Sequence, residues 1–317
     1  MRALLIINPH ATAMSGPRAG LAVRELGAQF DLEPVQTRYR GHARELATAA
    51  AEQGYDLVVT FGGDGTVNEV VNGLMAVSVP DYSCADARPA LATIPGGGAN
   101  VFARTLGLPA DPEGALRKIL DAAKSDSRRT IGLGRAVSSA GQRYFTFSAG
   151  LGLPAEVVAD VERQRASGGR ESDLLYMWTA VRHFYTATDR HNPALTLEVA
   201  GAPPAGALFL GVVTNSSPWT YVGSRPVQPA PHRDLNSGLD VFGLRRLHTL
   251  TTLHALGQMM HTRSRPLAGR DVVTAVALTD LTLRASRPIA FHIDGEYLGE
   301  TEKVAFRHLP DALSVFA

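Results

Sequence analysis

Residues Thr60 to Met75 read TFGGDGTVNEVVNGLM, and this stretch decides the fold of the first part of the chain. The apolar run before the glycines ends at Phe61 and predicts a buried strand. Four apolar residues after the glycines share one face of a predicted helix: Val67, Val70, Val71 and Leu74. The glycines therefore form a tight turn from strand to helix. Such a turn lets an anion approach the backbone, and the helix N-terminus that follows favours phosphate.

The same turn contains an acid, Asp64. A carboxylate beside a bound phosphate is repulsive unless a cation bridges the two, and Mg²⁺ is bound in this way. The turn thus indicates a nucleotide polyphosphate with magnesium. The alternative is a structural turn in which Asp64 or Thr66 caps the helix. A second strand–glycine–helix segment, IPGGGANVF at Ile94–Phe102, favours phosphate binding, because two such loops on one sheet would line one cleft.

The chain changes character near residue 128. Before it, apolar strands alternate with helical segments, which predicts a Rossmann-like α/β domain with a parallel sheet covered on both faces. After it, short β-like runs separated by turn residues predict an antiparallel β-sandwich. Two helical inserts interrupt these runs, at about 154–189 and 244–265. We therefore expect an α/β domain at 1–128 and a β-rich domain at 129–305.

Composition excludes several classes of protein. The formal net charge is +1, with 31 basic and 30 acidic side chains, which argues against a nucleic-acid partner. The single cysteine, Cys84, excludes an intramolecular disulfide. The first apolar run ends at Ile7, too short for a signal-peptide core, and no run approaches the roughly 20 residues that cross a bilayer. We expect a cytoplasmic protein that contacts membranes at most at their surface.

Several segments together resemble the diacylglycerol kinase catalytic-domain family, which includes bacterial soluble lipid kinases and sphingosine-type kinases and is distantly related to NAD kinases. In chain order they are IINPHATAMSG, TRYRGHARELA, GGDGTVNEVVNG, IPGGGANVFARTLGLP, FSAGLGLPAEVV and HIDGEYL. The glycine loop at 62–66 alone would not separate a lipid kinase from an NAD kinase. The late DGE and the GGANVFAR segment favour the lipid-kinase side.

The resemblance implies an ATP- and Mg²⁺-dependent kinase that phosphorylates a hydroxyl of diacylglycerol or a related lipid at a membrane surface. It implies that a final strand at about 306–317 returns to the ATP-binding domain, and a homodimer is left open. The implied nucleotide-binding residues are Asn8, Thr37, Gly62, Gly63, Asp64, Gly65, Thr66, Asn68, Glu69, Gly97 and Asn100. Asp64 would hold the metal, Asp294 would be the general base and Glu296 would lie beside it. Without the resemblance, the Asp-Gly at 294–295 would predict a hairpin turn.

Two departures from the family pattern keep other functions open. Gly98 stands where the family usually has threonine, and Asn236 and Ser237 replace acids that hold a structural Mg²⁺ in some bacterial members, which puts that metal in doubt. The alternatives are a kinase of NAD or another soluble metabolite, and a nucleotide-binding regulator without catalysis. His292, near Asp294, is expected to be a satisfied strand residue. The leucine-rich segment 244–265 is expected to pack across the β domain rather than to rest on a lipid headgroup layer.

Overall fold

The computed structural model describes residues 1–77, 85–166, 189–223, 225–230, 234–260 and 266–317. Cys84 and most of the predicted helical insert at 154–189 lie outside the described residues. The chain divides into two compact units: unit one is Met1–Leu133 with Pro310–Ala317, and unit two is Gly134–Leu309. The first unit therefore extends past residue 128, where we placed the boundary, because the change in composition coincides with the start of a strand and not with its end.

Unit one contains the strands β1 (Arg2–Ile7), β2 (Asp31–Gln36), β3 (Leu57–Gly62) and β4 (Ala90–Pro95) and the helices α1 (Gly16–Gly27), α2 (His42–Glu52), α3 (Asp64–Leu74), α4 (Val101–Thr105) and α5 (Pro112–Lys124). Its strands are parallel and lie in the order β4-β3-β1-β2. Every residue of β3 and β4 is buried, as expected for parallel strands with helices on both faces.

Small residues let two helices of unit one approach each other closely. Ala43, Ala47 and Ala50 are the buried residues of α2. On α3, a Cβ added at Gly73 would lie 2.3 Å from the carbonyl oxygen of Arg44. The alanine-rich sequence of α2 and the glycine near the end of α3 are therefore explained by this packing, which fixes α3 behind the glycine turn.

Strand β5 (Arg128–Ser138) continues from unit one into unit two. The later elements are β6 (Gly141–Phe145), β7 (Ser148–Gly152), α6 (Leu153–Ala166), β8 (Leu195–Glu198), β9 (Ala205–Leu208), β10 (Leu210–Thr214), β11 (Thr220–Val222), β12 (Arg225–Val227), β13 (Leu239–Leu244), α7 (Thr249–Met259), β14 (Val272–Leu278), β15 (Asp280–Ile293) and β16 (Glu296–Phe316). The end of β16 returns to unit one, where Val315 pairs in parallel with Leu91 of β4.

Unit two is built on antiparallel strands in the order β14-β13-β10-β7-β15-β16. The first half of β15 pairs with β8 and its end pairs with β7, with a register shift between Arg284 and Ile289. Two layers result, and they pack face to face: a Cβ added at Gly211 of β10 would lie 2.9 Å from the side chain of Leu283. The predicted fold class, an α/β part followed by a β-sandwich part, is confirmed.

Two details differ from the sequence-based prediction. Helix α3 begins at Asp64, so Asp64, Gly65 and Thr66 belong to its first turn and not to the preceding loop. Helix α5, which the pattern does not predict, follows Asp111, whose carboxylate accepts a hydrogen bond from the amide of Gly114 at 2.6 Å. Within the described residues, no helix has the length and hydrophobicity that crossing a bilayer requires.

Candidate functional site

The parallel sheet of unit one has a topological switch point between β1 and β3. From β1 the chain leads to β2 on one side, and it returns to β3 on the other. Open α/β sheets bind ligands at the carboxyl ends of the strands at such a point. Here Asn8 follows β1 and its Nδ2 donates a hydrogen bond to Oγ1 of Thr66 at 3.0 Å, so the bond spans the switch point. Thr37 follows β2, and its amide donates to the carbonyl of Ile7 at 2.8 Å.

The two predicted glycine loops lie against each other. The amide of Gly96 donates to the carbonyl of Gly62 at 2.8 Å. A Cβ added at Gly97 would lie 2.8 Å from the Cα of Gly63, and one added at Gly63 would lie 3.2 Å from the Cα of Gly97. Any side chain at Gly63 or Gly97 would separate the loops. Contact between the loops therefore requires these glycines, whether or not a ligand binds.

Two other glycines have no such explanation from packing. Gly65 and Gly98 are exposed, and a Cβ added at either would meet nothing within 4 Å. Gly65 lies in the first turn of α3, where backbone amides have no partner within the helix. The backbone is thus open to an anion at the place where the positive end of the helix dipole favours one.

Asp64 connects the first loop to the helix after the second. Its Oδ2 accepts a hydrogen bond from the amide of Val101 and its Oδ1 accepts one from the amide of Phe102, both at 3.0 Å. The cap residue of α3 itself is Gly63, which has no side chain. Asp64 therefore caps α4, a different helix from the one that the sequence suggested.

Asn100 closes the second loop. Its Oδ1 accepts from the amide of Gly97 at 2.8 Å, and its Nδ2 donates to the carbonyl of Gly97 at 2.7 Å. The residue adopts a left-handed conformation, with φ 46°. Asparagine tolerates this conformation better than most residues do, which explains its position before α4.

Asn68 and Glu69 support the turn from behind. The two oxygens of Glu69 accept hydrogen bonds from the amides of Gly41 at 2.9 Å and Ala43 at 3.1 Å, at the start of α2. Asn68 is buried, and its side-chain oxygen accepts from Nδ2 of Asn72 at 3.1 Å. Both residues lie on α3 and fix its surroundings. Neither contact points to a ligand.

A protein-held Mg²⁺ fits these residues poorly. In the part of the chain that the structure describes, no group of three or more histidine, cysteine, aspartate or glutamate side chains could hold a metal ion. The carboxylate of Asp64 already accepts two amide hydrogen bonds. A cation here would have to share a carboxylate that caps α4, so Asp64 as a metal ligand stays a prediction.

The second group of predicted residues lies in unit two, at the hairpin between β15 and β16. Asp294 and Gly295 form its two-residue turn with φ values of 46° and 75°, which is the geometry of a type I′ hairpin. Asp294 is buried. Its Oδ2 accepts from the amide and the hydroxyl of Thr146 at 2.7 and 2.9 Å, and its Oδ1 accepts from the amides of Phe147 and Ser148 at 3.1 and 3.0 Å.

These four donors limit what Asp294 can do. A carboxylate has about four lone-pair directions, so donors already engage them. The carboxylate organises the chain between β6 and β7, and it can accept a further proton only if one of these bonds is released. Glu296, two residues on, forms an ion pair with Arg143 of β6, and both side chains are largely buried.

His292 lies near the end of β15, two residues before Asp294, and is nearly fully buried, at 3% exposed. Neither ring nitrogen has a hydrogen-bond partner, so the expectation of a satisfied strand residue is wrong. The ring lies against Gly150 of β7, where an added Cβ would be 2.5 Å from Nε2. Burial lowers the pKa of His292 to about 4, so the imidazole is neutral at pH 7. The hydroxyl of Ser148 is likewise buried without a partner.

The segment that departs from the family pattern forms a turn held by protein groups. The carboxylate of Asp234 accepts from the amide of Asn236 at 2.8 Å. Nε2 of the buried His308 lies 2.9 Å from the carbonyl oxygen of Leu235. Asp240, also buried, accepts from the amide of Ala277 at 2.8 Å. Side chains and backbone thus hold this turn with the residues present.

Thr146 and Arg143 are the residues at the hairpin that sequence reasoning missed. Both lie on or next to β6, about 150 positions before their partners, and no local pattern connects them. The amides of Val101 and Phe102 were missed for the same reason. Such pairs become visible when the strands are aligned in space.

Comparison with known proteins identifies the family. A family model described as "Diacylglycerol kinase catalytic domain" matches residues 2–131. A protein of Bacillus subtilis named "Diacylglycerol kinase" is 36% identical over 283 residues, which are 86% of this chain and 81% of that protein. The chain therefore belongs to the diacylglycerol kinase family, and the names of its relatives support a kinase.

Two further similarities cover different extents. A protein of Chromohalobacter salexigens named "Probable lipid kinase YegS-like" is 35% identical over 179 residues, and the match spans about half of each protein, 56% of this chain and 52% of the relative. A crystal structure of a diacylglycerol kinase from Bacillus anthracis superposes with a TM-score of 0.72 at 21% identity, covering 99% of this chain and 96% of that one. The second similarity supports the fold.

Proposed function

We propose that this protein is an ATP-dependent lipid kinase, which transfers the γ-phosphate of ATP to a hydroxyl of diacylglycerol or a related lipid. The observation that carries the proposal is the open backbone at Gly65 and Gly98, beside the switch point of a parallel sheet. Membership of the diacylglycerol kinase family favours a lipid acceptor over NAD.

In this proposal the phosphates of ATP bind the first-turn amides of α3. Gly65 and Gly98 leave the space, Asp64 ties the first turn of α3 to the start of α4, and Asn100 closes the second loop. Phosphoryl transfer requires mostly positioning and electrostatic stabilisation, so rigid loops with open amides suit it. Asn8 and Thr37, at the ends of β1 and β2, complete the nucleotide site.

Magnesium enters this scheme as an ion bound to the nucleotide. Mg²⁺ is commonly held by substrate phosphates with one or two carboxylates and several waters, so it needs no cage of protein ligands. When bound, it would neutralise charge on the triphosphate. Asp64 is the candidate carboxylate between the two glycine segments, and the proposal does not require it to bind the ion.

Asp294 is proposed to orient and deprotonate the acceptor hydroxyl. Because four donors hold its carboxylate, it has to exchange one of them for the hydroxyl. The hydroxyl of Thr146 is the donor that can rotate away without moving the backbone. In a loose transition state the acceptor hydroxyl loses its proton late, so a carboxylate is a sufficient base. The lipid is met at the surface of a membrane by a cytoplasmic protein.

A transfer assay tests the proposal. The purified protein is incubated with γ-labelled ATP, Mg²⁺ and separate acceptors: diacylglycerol, other hydroxyl-bearing lipids dispersed in detergent, and NAD. We expect label in a lipid. Label in NAD alone would establish a soluble-metabolite kinase, and ATP binding without transfer to any acceptor would establish a regulator.

A matched pair of glycine variants tests the nucleotide site. Gly65→Val places a side chain in open space, so the fold should remain while ATP binding, measured by calorimetry, falls at least about tenfold. Gly16→Val, at another helical glycine with nothing within 4 Å, serves as the control and should leave ATP binding unchanged. Equal effects of the two substitutions would contradict the assignment of Gly65.

A further inference from the structure

Helix α7 of unit two exposes leucines to solvent. Leu250 is 81% exposed, Leu253 59% and Leu256 46%. Among the described residues, six large hydrophobic side chains are exposed, and these three lie together on one helix. Their spacing of three residues places them on neighbouring turns of one side. We call them the leucine face.

The opposite side of α7 holds the helix firmly on the sheet. Ala255 and Met259 are buried in an apolar cluster with Phe242 of β13 and Leu210 of β10. The buried side chain of Gln258 donates to the carbonyl oxygen of Ala268 at 2.9 Å. The leucine face is therefore held outward by packing behind it. Surface helices usually turn polar residues to solvent, and this helix presents leucines there instead.

The charge around the helix is net positive. From residue 240 to residue 271 the sequence carries five basic side chains and two acidic ones, Asp240 and Asp271. Arg246 is 59% exposed and forms an ion pair with Asp271 at 3.5 Å. Arg270 is exposed after α7, and His248 and His254 are exposed on or next to the helix. The rest of the chain carries more acidic than basic side chains, so the positive charge is concentrated here.

We propose that the leucine face docks on an anionic bilayer surface, with the leucines among the acyl chains and the arginines at the headgroups. This rests on the proposed function, since a lipid acceptor must be reached at a membrane. Apolar side chains flanked by more cations than acids complement such a surface. Three leucines expose roughly a few hundred Å², well below the ~800 Å² per partner typical of a stable protein interface. This favours a membrane over a second copy of the chain.

Vesicle binding tests the docking surface without ATP or turnover. The full chain is titrated with vesicles of equal parts phosphatidylglycerol and phosphatidylcholine, and binding is measured by co-sedimentation. The variant Leu250→Ser/Leu253→Ser should bind about a hundredfold more weakly, because each buried leucine accounts for about a tenfold change. Val137→Ser, an exposed apolar residue on β5 that is 41% exposed, should bind as the unaltered chain does. Circular dichroism checks that the variants are folded.

Two further experiments test whether the positive charge contributes to binding and whether a second copy of the chain covers the leucine face instead of a membrane. Arg270→Gln should weaken binding to the anionic vesicles severalfold at low salt, and the difference should shrink as salt is added. Sedimentation velocity without vesicles should give one species for both the unaltered chain and the double variant. A dimer that dissociates in Leu250→Ser/Leu253→Ser would overturn the proposal in favour of a second copy. Unchanged vesicle binding in that variant would overturn it as well.

Failure of this proposal can be told apart from failure of the kinase assignment. If the double variant keeps full transfer to a detergent-dispersed lipid but loses it on vesicles, both proposals are supported. If transfer to every lipid is absent while vesicle binding depends on the leucines, the docking surface stands and the kinase assignment fails. If transfer is present but vesicle binding does not depend on the leucines, the kinase assignment stands and the docking surface fails.

Discussion

The glycine loops of unit one and the Asp-Gly-Glu hairpin of unit two use an aspartate in the same structural way and differ in what they leave open. Asp64 accepts hydrogen bonds from two backbone amides, and Asp294 accepts from three amides and a hydroxyl. Beside Asp64 the backbone at Gly65 is exposed. Beside Asp294 the neighbouring His292 and Ser148 are buried with unpartnered polar atoms.

The two aspartates therefore have different roles in the two proposed sites. In unit one the aspartate holds a frame whose open amides are available to a ligand. In unit two the aspartate is itself the proposed reactive group, and it is saturated with donors. The proposed anion site in unit one needs no rearrangement to bind its ligand, whereas the proposed base in unit two has to exchange a hydrogen bond before it can react.

The largest effect is expected for Asp294→Asn. Asparagine presents an amide group to donors that need an acceptor, so the free energy of unfolding should fall by about 3 kcal/mol. Turnover should fall at least about a hundredfold, since a general base is lost. Denaturant unfolding and the transfer assay measure the two quantities.

Asp311→Asn is the matched control for that substitution. Asp311 also has a positive φ, 47°, but it is exposed, and it accepts a hydrogen bond from the hydroxyl of Thr130 at the surface. Its substitution should change the unfolding free energy by less than about 1 kcal/mol. If Asp294→Asn were equally mild and remained active, Asp294 would be neither an anchor nor a base.

His292 makes unit two sensitive to acid. Its pKa is about 4 in the folded chain because of burial, against 6.5 in the unfolded chain. As the pH falls from about 6.5 to about 4, the unfolded state takes up a proton that the folded state does not, so stability is lost in this window and is full above it. The loss approaches about 3 kcal/mol.

A comparison with His292→Leu isolates this effect. The difference in unfolding free energy between the variant and the unaltered chain should move by about 3 kcal/mol in favour of the variant between pH 7 and pH 4. Denaturant titrations at several pH values measure it. A constant difference would show that another group causes the acid sensitivity.

Much of the fold was predictable because local patterns carry it. Strand β3 is a continuous apolar run, and all of it is buried. Helix α2 is rich in alanine and packs on α3. Helix α5 escaped prediction although Asp111 and Pro112 mark its start, because Gly114 in its first turn lowers helix propensity. A Cβ at Gly114 would lie 2.7 Å from Oδ2 of Asp111, so the cap itself requires this glycine.

The site was predictable in its residues but not in its contacts. The glycine pattern indicated an anion-binding turn, yet it could not separate Gly63, which the neighbouring loop requires, from Gly65, which is open. Asp64 contacts amides 37 and 38 positions away, and Asp294 contacts residues almost 150 positions away. Such partners are set by strand order and register, which a single sequence does not display.

Neighbouring glycines of the second loop should therefore respond differently. Gly97→Ala forces the two loops apart and should lower the unfolding free energy by about 2 kcal/mol, with weaker ATP binding. Gly98→Ala adds a methyl group to open space and should leave stability within about 0.5 kcal/mol. Thermal unfolding with and without ATP measures both. Equal losses would mean that the loops do not lie against each other.

The smallest effect, and the one that decides the role of Asp64, is expected for Asp64→Asn. The side-chain oxygen of asparagine can still accept from one of the amides of Val101 and Phe102, so about 1 kcal/mol of unfolding free energy should be lost. If Asp64 serves only as a cap of α4, its replacement should leave the Mg²⁺ concentration for half-maximal transfer unchanged.

A magnesium titration of the transfer assay provides the contrast. If Asp64 is a ligand of the nucleotide-bound ion, the variant should need a severalfold higher Mg²⁺ concentration, because one charged oxygen ligand is lost. Glu69→Gln is the control, since Glu69 caps α2 in the same manner as Asp64 caps α4. If both variants lose similar stability and only Asp64→Asn requires more Mg²⁺, the aspartate has both roles. If neither requires more, the first site is a frame of amides and its cation belongs to the nucleotide alone.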